Sequence, residues 1–329
     1  MRVLVTGGAG FIGSYYVREL LGGSYPEFAG AEVVVLDKLT YAGRWENLAP
    51  VAEHPGLRFV RGDICDAELL DEVVRGADVV VHFAAESHVD RSIAGARDFV
   101  TTNVAGTNAL LHAASTAGVR RFVHVSTDEV YGSIDSGSWR EDHVLEPNSP
   151  YSASKAGAEL LARSYHRTHG LPVCVTRCSN NYGPRQFPEK ALPLFITNLL
   201  DGGDVPLYGD GQNVRDWLHV SDHCRAVQLV AESGRAGEIY NIGGGLELTN
   251  RAMVERLLAE MGLDRSRIRP VPDRLGHDRR YSVDDTRIRE ELGYRPLVDF
   301  ESGLAATVAW YRDNRDWWEP LKRELAGTS

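Results

Sequence analysis

Along the first half of the chain, short apolar runs rich in β-branched residues alternate with stretches whose apolar positions return every three or four residues. The runs predict strands over 2–6, 32–37, 58–61, 78–83, 121–126 and 173–177. The intervening stretches predict helices, among them 12–21 and 66–74. In the second of these, Asp66 stands at the N-cap, Leu69, Leu70, Val73 and Val74 form the apolar face, and Gly76 ends it. Phe99, Val100, Val104, Leu110 and Leu111 mark a further helix over 99–114. A strand as continuously apolar as Val79-Val80-Val81 suits a sheet covered on both faces. The predicted class is α/β, a doubly wound parallel sheet with right-handed crossovers over residues 1–178.

After Ser179 the rhythm changes. Asn180-Asn181-Tyr182-Gly183-Pro184, Asp201-Gly202-Gly203 and Gly209-Asp210-Gly211 punctuate the chain. Residues 179–329 therefore read as a smaller, loop-rich α/β lobe, with one strand near 238–242 returning to the main sheet. A cleft between the lobes is the expected seat of any chemistry.

Composition narrows the classes. The 329 residues hold 36 Lys and Arg against 46 Asp and Glu, a net charge of −10, which argues against a protein that coats nucleic acid. Cys65, Cys174, Cys178 and Cys224 show neither a disulfide framework nor zinc spacing. No metal is expected, and a reducing, cytoplasmic setting is. No window approaches the ~18 uncharged apolar residues of a membrane span, and the apolar start from Met1 to Thr6 reads as a strand rather than a leader core.

Two segments bring in chemistry. Thr6-Gly7-Gly8-Ala9-Gly10-Phe11-Ile12-Gly13 sets glycines at 7, 10 and 13 between a strand and a helix. That spacing allows a tight turn, close approach of a pyrophosphate and close helix packing, with the anion at the positive end of the helix. Asp37 ends the second strand, where a carboxylate can accept from an adenosine ribose and repel a 2′-phosphate, so NAD is favoured over NADP. Asp63, at the end of the third strand, either reaches the adenine amine or simply caps a turn. Further on, Tyr151-Ser152-Ala153-Ser154-Lys155 puts a phenol and an ammonium on one helix face. A free tyrosine titrates at about 10. A nearby ammonium and a positive nicotinamide both favour the phenolate, which predicts alcohol–ketone hydride chemistry.

With the hydroxyls of Ser126 and Thr127, these segments resemble the extended short-chain dehydrogenase/reductases across almost the whole chain. Within them, Ser126-Thr127-Asp128-Glu129-Val130-Tyr131-Gly132 resembles the active-site segment of the dTDP-glucose 4,6-dehydratases. The related nucleotide-sugar 4-epimerases generally carry small or neutral residues at the two acidic positions. The resemblance implies a Rossmann domain holding NAD and a redox-neutral hydro-lyase that turns dTDP-glucose into dTDP-4-keto-6-deoxyglucose and water. Oxidation at C4 acidifies the C5 proton, so elimination needs a base at C5 and an acid for the departing C6 hydroxyl. By resemblance Tyr151, beside Lys155, takes the C4 hydroxyl proton, Thr127 orients the C4 oxygen, Glu129 takes the C5 proton and Asp128 protonates the leaving group.

The same resemblance implies cofactor contacts from Gly7, Gly10, Phe11, Ile12, Gly13, Asp37, Lys38, Thr40, Asp63, Ile64, Phe83, Ala84, Ala85, Ser87, Thr102 and Asn181, besides Tyr151 and Lys155. For the substrate it implies Ser87, Thr127, Asn180, Glu189, Lys190, Pro206, Tyr208, Arg215, Asn250, His277 and Tyr281. It also implies a homodimer joined in a helix bundle through 98–114 and 152–169. Arg44, Arg185, Ala191 and Leu275 depart from the family pattern, the last two beside nucleotide contacts, which leaves base preference open. His88 is given no role, and Trp317 and Trp318 read as packing. Three alternatives stand: a 4-epimerase, a dehydratase of another nucleotide hexose, and a silent dinucleotide sensor. The sensor has no use for Tyr151, Lys155, Asp128 and Glu129 together.

Overall fold

The computed structural model describes residues 1–327. Strands β1 (Arg2–Thr6), β2 (Glu32–Asp37), β3 (Leu57–Arg61), β4 (Val79–His82), β5 (Arg121–Thr127) and β6 (Val173–Cys178) lie within one residue of the predicted runs at either end. Helices α1 (Phe11–Leu21), α2 (Ala67–Val73), α3 (Val89–Ala94), α4 (Arg97–Phe99), α5 (Thr107–Ala117) and α6 (Pro150–His169) connect or follow them. The rest of the chain forms β7 (Asn180–Tyr182), α7 (Ala191–Leu200), β8 (Val205–Tyr208), β9 (Val214–His219), α8 (Val220–Ser233), β10 (Ile239–Ile242), β11 (Glu247–Thr249), α9 (Asn250–Glu260), β12 (Ile268–Val271), α10 (Thr286–Leu292), α11 (Phe300–Asp313) and α12 (Arg315–Gly327).

The main sheet runs β10-β6-β5-β4-β1-β2-β3, with every pairing parallel. Alternating side chains serve opposite faces. Val3, Val5, Val33 and Val35 pack with Val17 of α1 and Val227 of α8, whereas Leu4, Val34 and Leu36 pack with Leu70 of α2, Leu110 of α5 and Ala162 of α6. Each such aliphatic side chain taken wholly out of water contributes roughly 1.5–3 kcal/mol. Strand order reverses between β1 and β4, so the connections after them diverge and open a crevice at the strands' carboxyl ends.

Local signals fix the helix ends. Asp66 accepts from the Leu69 amide at 3.1 Å, and the chain leaves α2 through Gly76 at φ +74°. Ser149 and Ser152 form a reciprocal capping box at the head of α6, with Pro150 in the first turn. The helix expected over 99–114 is longer and not uniform: between α4 and α5 the chain takes a π-helical course over Val100–Gly106.

The second lobe has its own core of Leu192, Ile196, Trp217, Val254, Leu304 and Trp318. It is built on a three-stranded sheet, β11-β9-β7, and a two-stranded one, β12-β8. The strand near 238–242 does rejoin the main sheet, but it does not return alone: α8 lies against the α1 face through Ala226, Val227 and Val230, and Ile288 of α10 joins the same cluster. Among the described residues no helix is long and apolar enough to cross a membrane.

Candidate active site

One open cleft runs along the crevice, and every residue expected to touch the cofactor lines it, from Gly7 to Asn181. Its floor is the glycine loop. Gly7 sits at φ +69°, and a Cβ there would meet the Ala84 amide nitrogen at 2.6 Å. No side chain fits between the two diverging connections. Helix α1 begins at Gly10 with no side-chain cap, so its first-turn amides remain available to an anion. The Asp37 carboxylate accepts from the Ala9 amide at 2.9 Å and the Leu39 amide at 2.8 Å. It thereby ties the loop to the end of β2 and keeps lone pairs free for sugar hydroxyls. Lys38 pairs with Asp63 at 2.7 Å. Burial pushes the Asp63 carboxyl up, but the Lys38 ammonium and the Cys65 amide hold it below its ordinary value. These surfaces suit a dinucleotide with a free 2′-hydroxyl.

Above the floor stand Tyr151 and Lys155, both buried. The Lys155 ammonium donates to the Val125 carbonyl at 2.7 Å, and burial pushes its pKa down to about 8. The expected depression of Tyr151 by Lys155 is not what the chain alone provides. Burial, then the neighbouring Glu129, Cys178 and Asp128, push the phenol well above its ordinary value, with the nearby Thr127 hydroxyl acting in the opposite direction. The lysine's hydrogen bond holds it against the sheet, and the carboxylates face the phenol instead.

Those carboxylates come from a single turn. β5 ends at Thr127, whose hydroxyl accepts from the Glu129 amide at 3.3 Å and donates to the Asp128 carboxylate at 3.3 Å. Asp128 is 2% exposed, and its Oδ2 has no hydrogen-bond partner among the described residues. Burial, then Glu129 and Asp216, push its pKa far up. Glu129 is only partly buried. Burial raises its pKa too, but Arg274, Arg215 and Lys190 oppose the shift. Two neighbouring acids thus sit in unlike surroundings, one kept neutral and one faced by cations.

The far lip holds the expected substrate residues in two groups. Ser87, Thr127, Asn180, Glu189 and Lys190 line the cleft itself, where Lys190 donates to the Ser87 carbonyl at 2.5 Å. Pro206, Tyr208, Arg215, Asn250, His277 and Tyr281 lie outside the lining, in the second lobe. Arg215 lies over the Tyr281 ring at 4.1 Å and donates to the Asp278 carbonyl at 2.9 Å. Tyr281 in turn donates to Asp278 at 2.6 Å. Tyr208 is exposed and meets His277 edge to face. His88, given no role, caps α3. Of the departures, Arg44 pairs with Glu324 at 3.3 Å, Arg185 reaches the Glu46 carbonyl at 3.1 Å, and Leu275 is 77% exposed.

Sequence reasoning missed several residues. Asn103, in the π-helical stretch, holds both backbone groups of Glu86 and donates to Ser154 at 2.8 Å, so it clamps the loop after β4 to α6. Its only signal was an amide in the middle of an apolar helical pattern. His223 on α8 donates from Nδ1 to the Asn181 side-chain oxygen at 2.9 Å, and Arg274 faces Glu129. Nothing local in the sequence singles out either one.

Comparison with known proteins agrees with this geometry. Residues 4–307 match the family model described as GDP-mannose 4,6 dehydratase. A dTDP-glucose 4,6-dehydratase of Streptomyces niveus is 62% identical, covering 98% of this chain and 96% of the relative. The crystal structure of DesIV, a dTDP-glucose 4,6-dehydratase from Streptomyces venezuelae with NAD and dTDP bound, superposes with a TM-score of 0.97 at 67% identity, covering 98% of this chain and 100% of DesIV. A UDP-glucose 4-epimerase of Thermotoga maritima, solved with UDP-glucose, shares the fold at a TM-score of 0.88 but only 33% identity, over 96% of this chain and 100% of its own. Acidic turn, glycine loop and whole-chain likeness point the same way: the chain belongs to the dTDP-glucose 4,6-dehydratase family of extended short-chain dehydrogenase/reductases.

Proposed function

We infer that this chain converts dTDP-glucose into dTDP-4-keto-6-deoxyglucose and water. The observation that carries the reading is the pair of adjacent acids in the turn after β5, one buried and held neutral and one facing cations. When bound, NAD would supply a hydride acceptor and donor and a positive ring that favours the Tyr151 phenolate. Tyr151 takes the proton of the C4 hydroxyl, and Thr127 fixes the C4 oxygen. Glu129, its charge tolerated beside Arg274, Arg215 and Lys190, removes the proton at C5. Asp128, kept protonated by burial and like charges, delivers its proton to the C6 oxygen as water leaves. Lys155 holds its charge against the Val125 carbonyl and orients the sugar side of the cofactor. In the second lobe the planar guanidinium of Arg215 suits the diphosphate, and the exposed Tyr208 face suits the pyrimidine.

We further propose a homodimer joined through 98–114 and 152–169. Its four unpaired cysteines suit a reducing cytoplasm.

The deciding experiment incubates the purified protein with dTDP-glucose carrying deuterium at C4, without added NAD. Loss of one water, with the label at C6 of the product, is expected. A product of unchanged mass inverted at C4 would establish an epimerase instead. Glu129→Gln should lower turnover by about 10²–10⁴-fold while the absorbance of reduced nicotinamide rises and stays, because oxidation at C4 survives and elimination does not. Normal turnover by this variant would remove Glu129 from the mechanism.

A further inference from the structure

Three segments from different parts of the chain meet across the mouth of the cleft. The loop after β2 brings Tyr41, α3 brings Arg91, and the loop before α7 brings Phe187 and Glu189. Tyr41, Phe187 and Glu189 all line the cleft, and they stand on opposite lips of it. Arg91 joins them from outside. Its guanidinium lies over the Tyr41 ring at 3.9 Å and donates to Glu189 Oε2 at 3.0 Å. The Tyr41 ring also meets Phe187 edge to face at 5.5 Å. A cation stacked on Tyr41 and paired with Glu189 links the loop after β2 to the loop before α7.

We propose that Arg91 is a cofactor-retention residue, which straps the loop after β2 to the loop before α7 and keeps NAD in place through the whole reaction. The inference rests on the dehydratase reading above. In that reaction the two electrons taken at C4 must return to C6 of the same sugar, so cofactor lost in mid-cycle strands an oxidised sugar and an enzyme unable to start again. Retention is therefore a requirement of the chemistry. The Arg91 side chain is 42% exposed, so the contacts it makes are individually weak. The strap can open for loading while still slowing escape.

The test compares parent, Arg91→Ala and Arg91→Lys proteins for bound NAD after gel filtration and for the rate of NAD release into excess labelled NAD. Arg91→Ala should release roughly tenfold faster, equivalent to about 1.4 kcal/mol. Arg91→Lys keeps the charge but loses the planar stacking, and should fall between the two. Progress curves of Arg91→Ala should bend over as turnovers accumulate and straighten when NAD is added. Release as slow as in the parent would overturn the proposal. So would lost conversion that saturating NAD cannot restore, which would place Arg91 on the substrate side. A parent protein that holds no NAD at all would instead overturn the dehydratase reading itself.

Discussion

Asp128 shows how one residue can serve the reaction at the expense of the fold. Burial and the neighbouring acids raise its native pKa, so the folded protein binds this proton more tightly than the unfolded chain does. Its contribution to stability is complete below the unfolded value of about 4 and is lost as pH rises through the elevated native value. Asp128→Asn removes that loss. At neutral pH and above, the variant should melt ~2–4 °C higher than the parent at equal NAD loading, and the gap should close as the pH falls below about 4. Turnover should fall by about 10²–10⁴-fold, since an amide has no proton to give. Thermal melts across this pH range check the sign, and a gap that widens in acid would refute it. Both acids were legible in the sequence because they are adjacent and follow a strand end. Their unlike surroundings were not, because the cations that face Glu129 come from positions 190, 215 and 274.

At the scale of elements, the strands were legible because each carries a short cluster of β-branched or aromatic apolar residues, as in Val33-Val34-Val35 and Val79-Val80-Val81. The π-helical stretch was not, because widening one turn barely disturbs the spacing of Phe99, Val104 and Leu110. Equally hidden was the support beneath the catalytic turn. Arg177, on β6, is fully buried and grips Glu159 of α6 with two hydrogen bonds of 3.0 and 2.5 Å. It also donates to the Tyr131 hydroxyl, which itself donates to Asn241 of β10 at 2.9 Å. Tyr131 closes the turn that begins at Asp128, so this network braces that turn from behind. In the sequence Arg177 is only a charge near the end of a strand, since its partner is far along the chain. Removing one member strands a buried charge. Arg177→Met should cost about 3–5 kcal/mol, whereas pairing it with Glu159→Leu should recover much of that loss. Denaturant melts of both variants give the comparison, and equal loss in the two would mean that the ion pair is not the unit.

For the whole molecule, the open question is what covers the outer surface of the two helical segments proposed to join protomers. Val100 is 53% exposed and Leu160 54% exposed, although both sit on elements whose other faces pack tightly inside the protomer. A twofold interface presents each residue twice, so one substitution is felt in both copies. An aspartate at 160 would bury two charges in an apolar seam. If each costs only about 1.4 kcal/mol, the dimer weakens about 100-fold, enough to shift Leu160→Asp to monomers at micromolar concentration. Leu297, 74% exposed and just before α11, supplies the control: Leu297→Asp should leave association unchanged. Sedimentation velocity on the three proteins distinguishes the outcomes. Were both variants to associate as the parent does, the subunits would have to meet on another face, and the cleft, which lies wholly within one protomer, would keep its chemistry all the same.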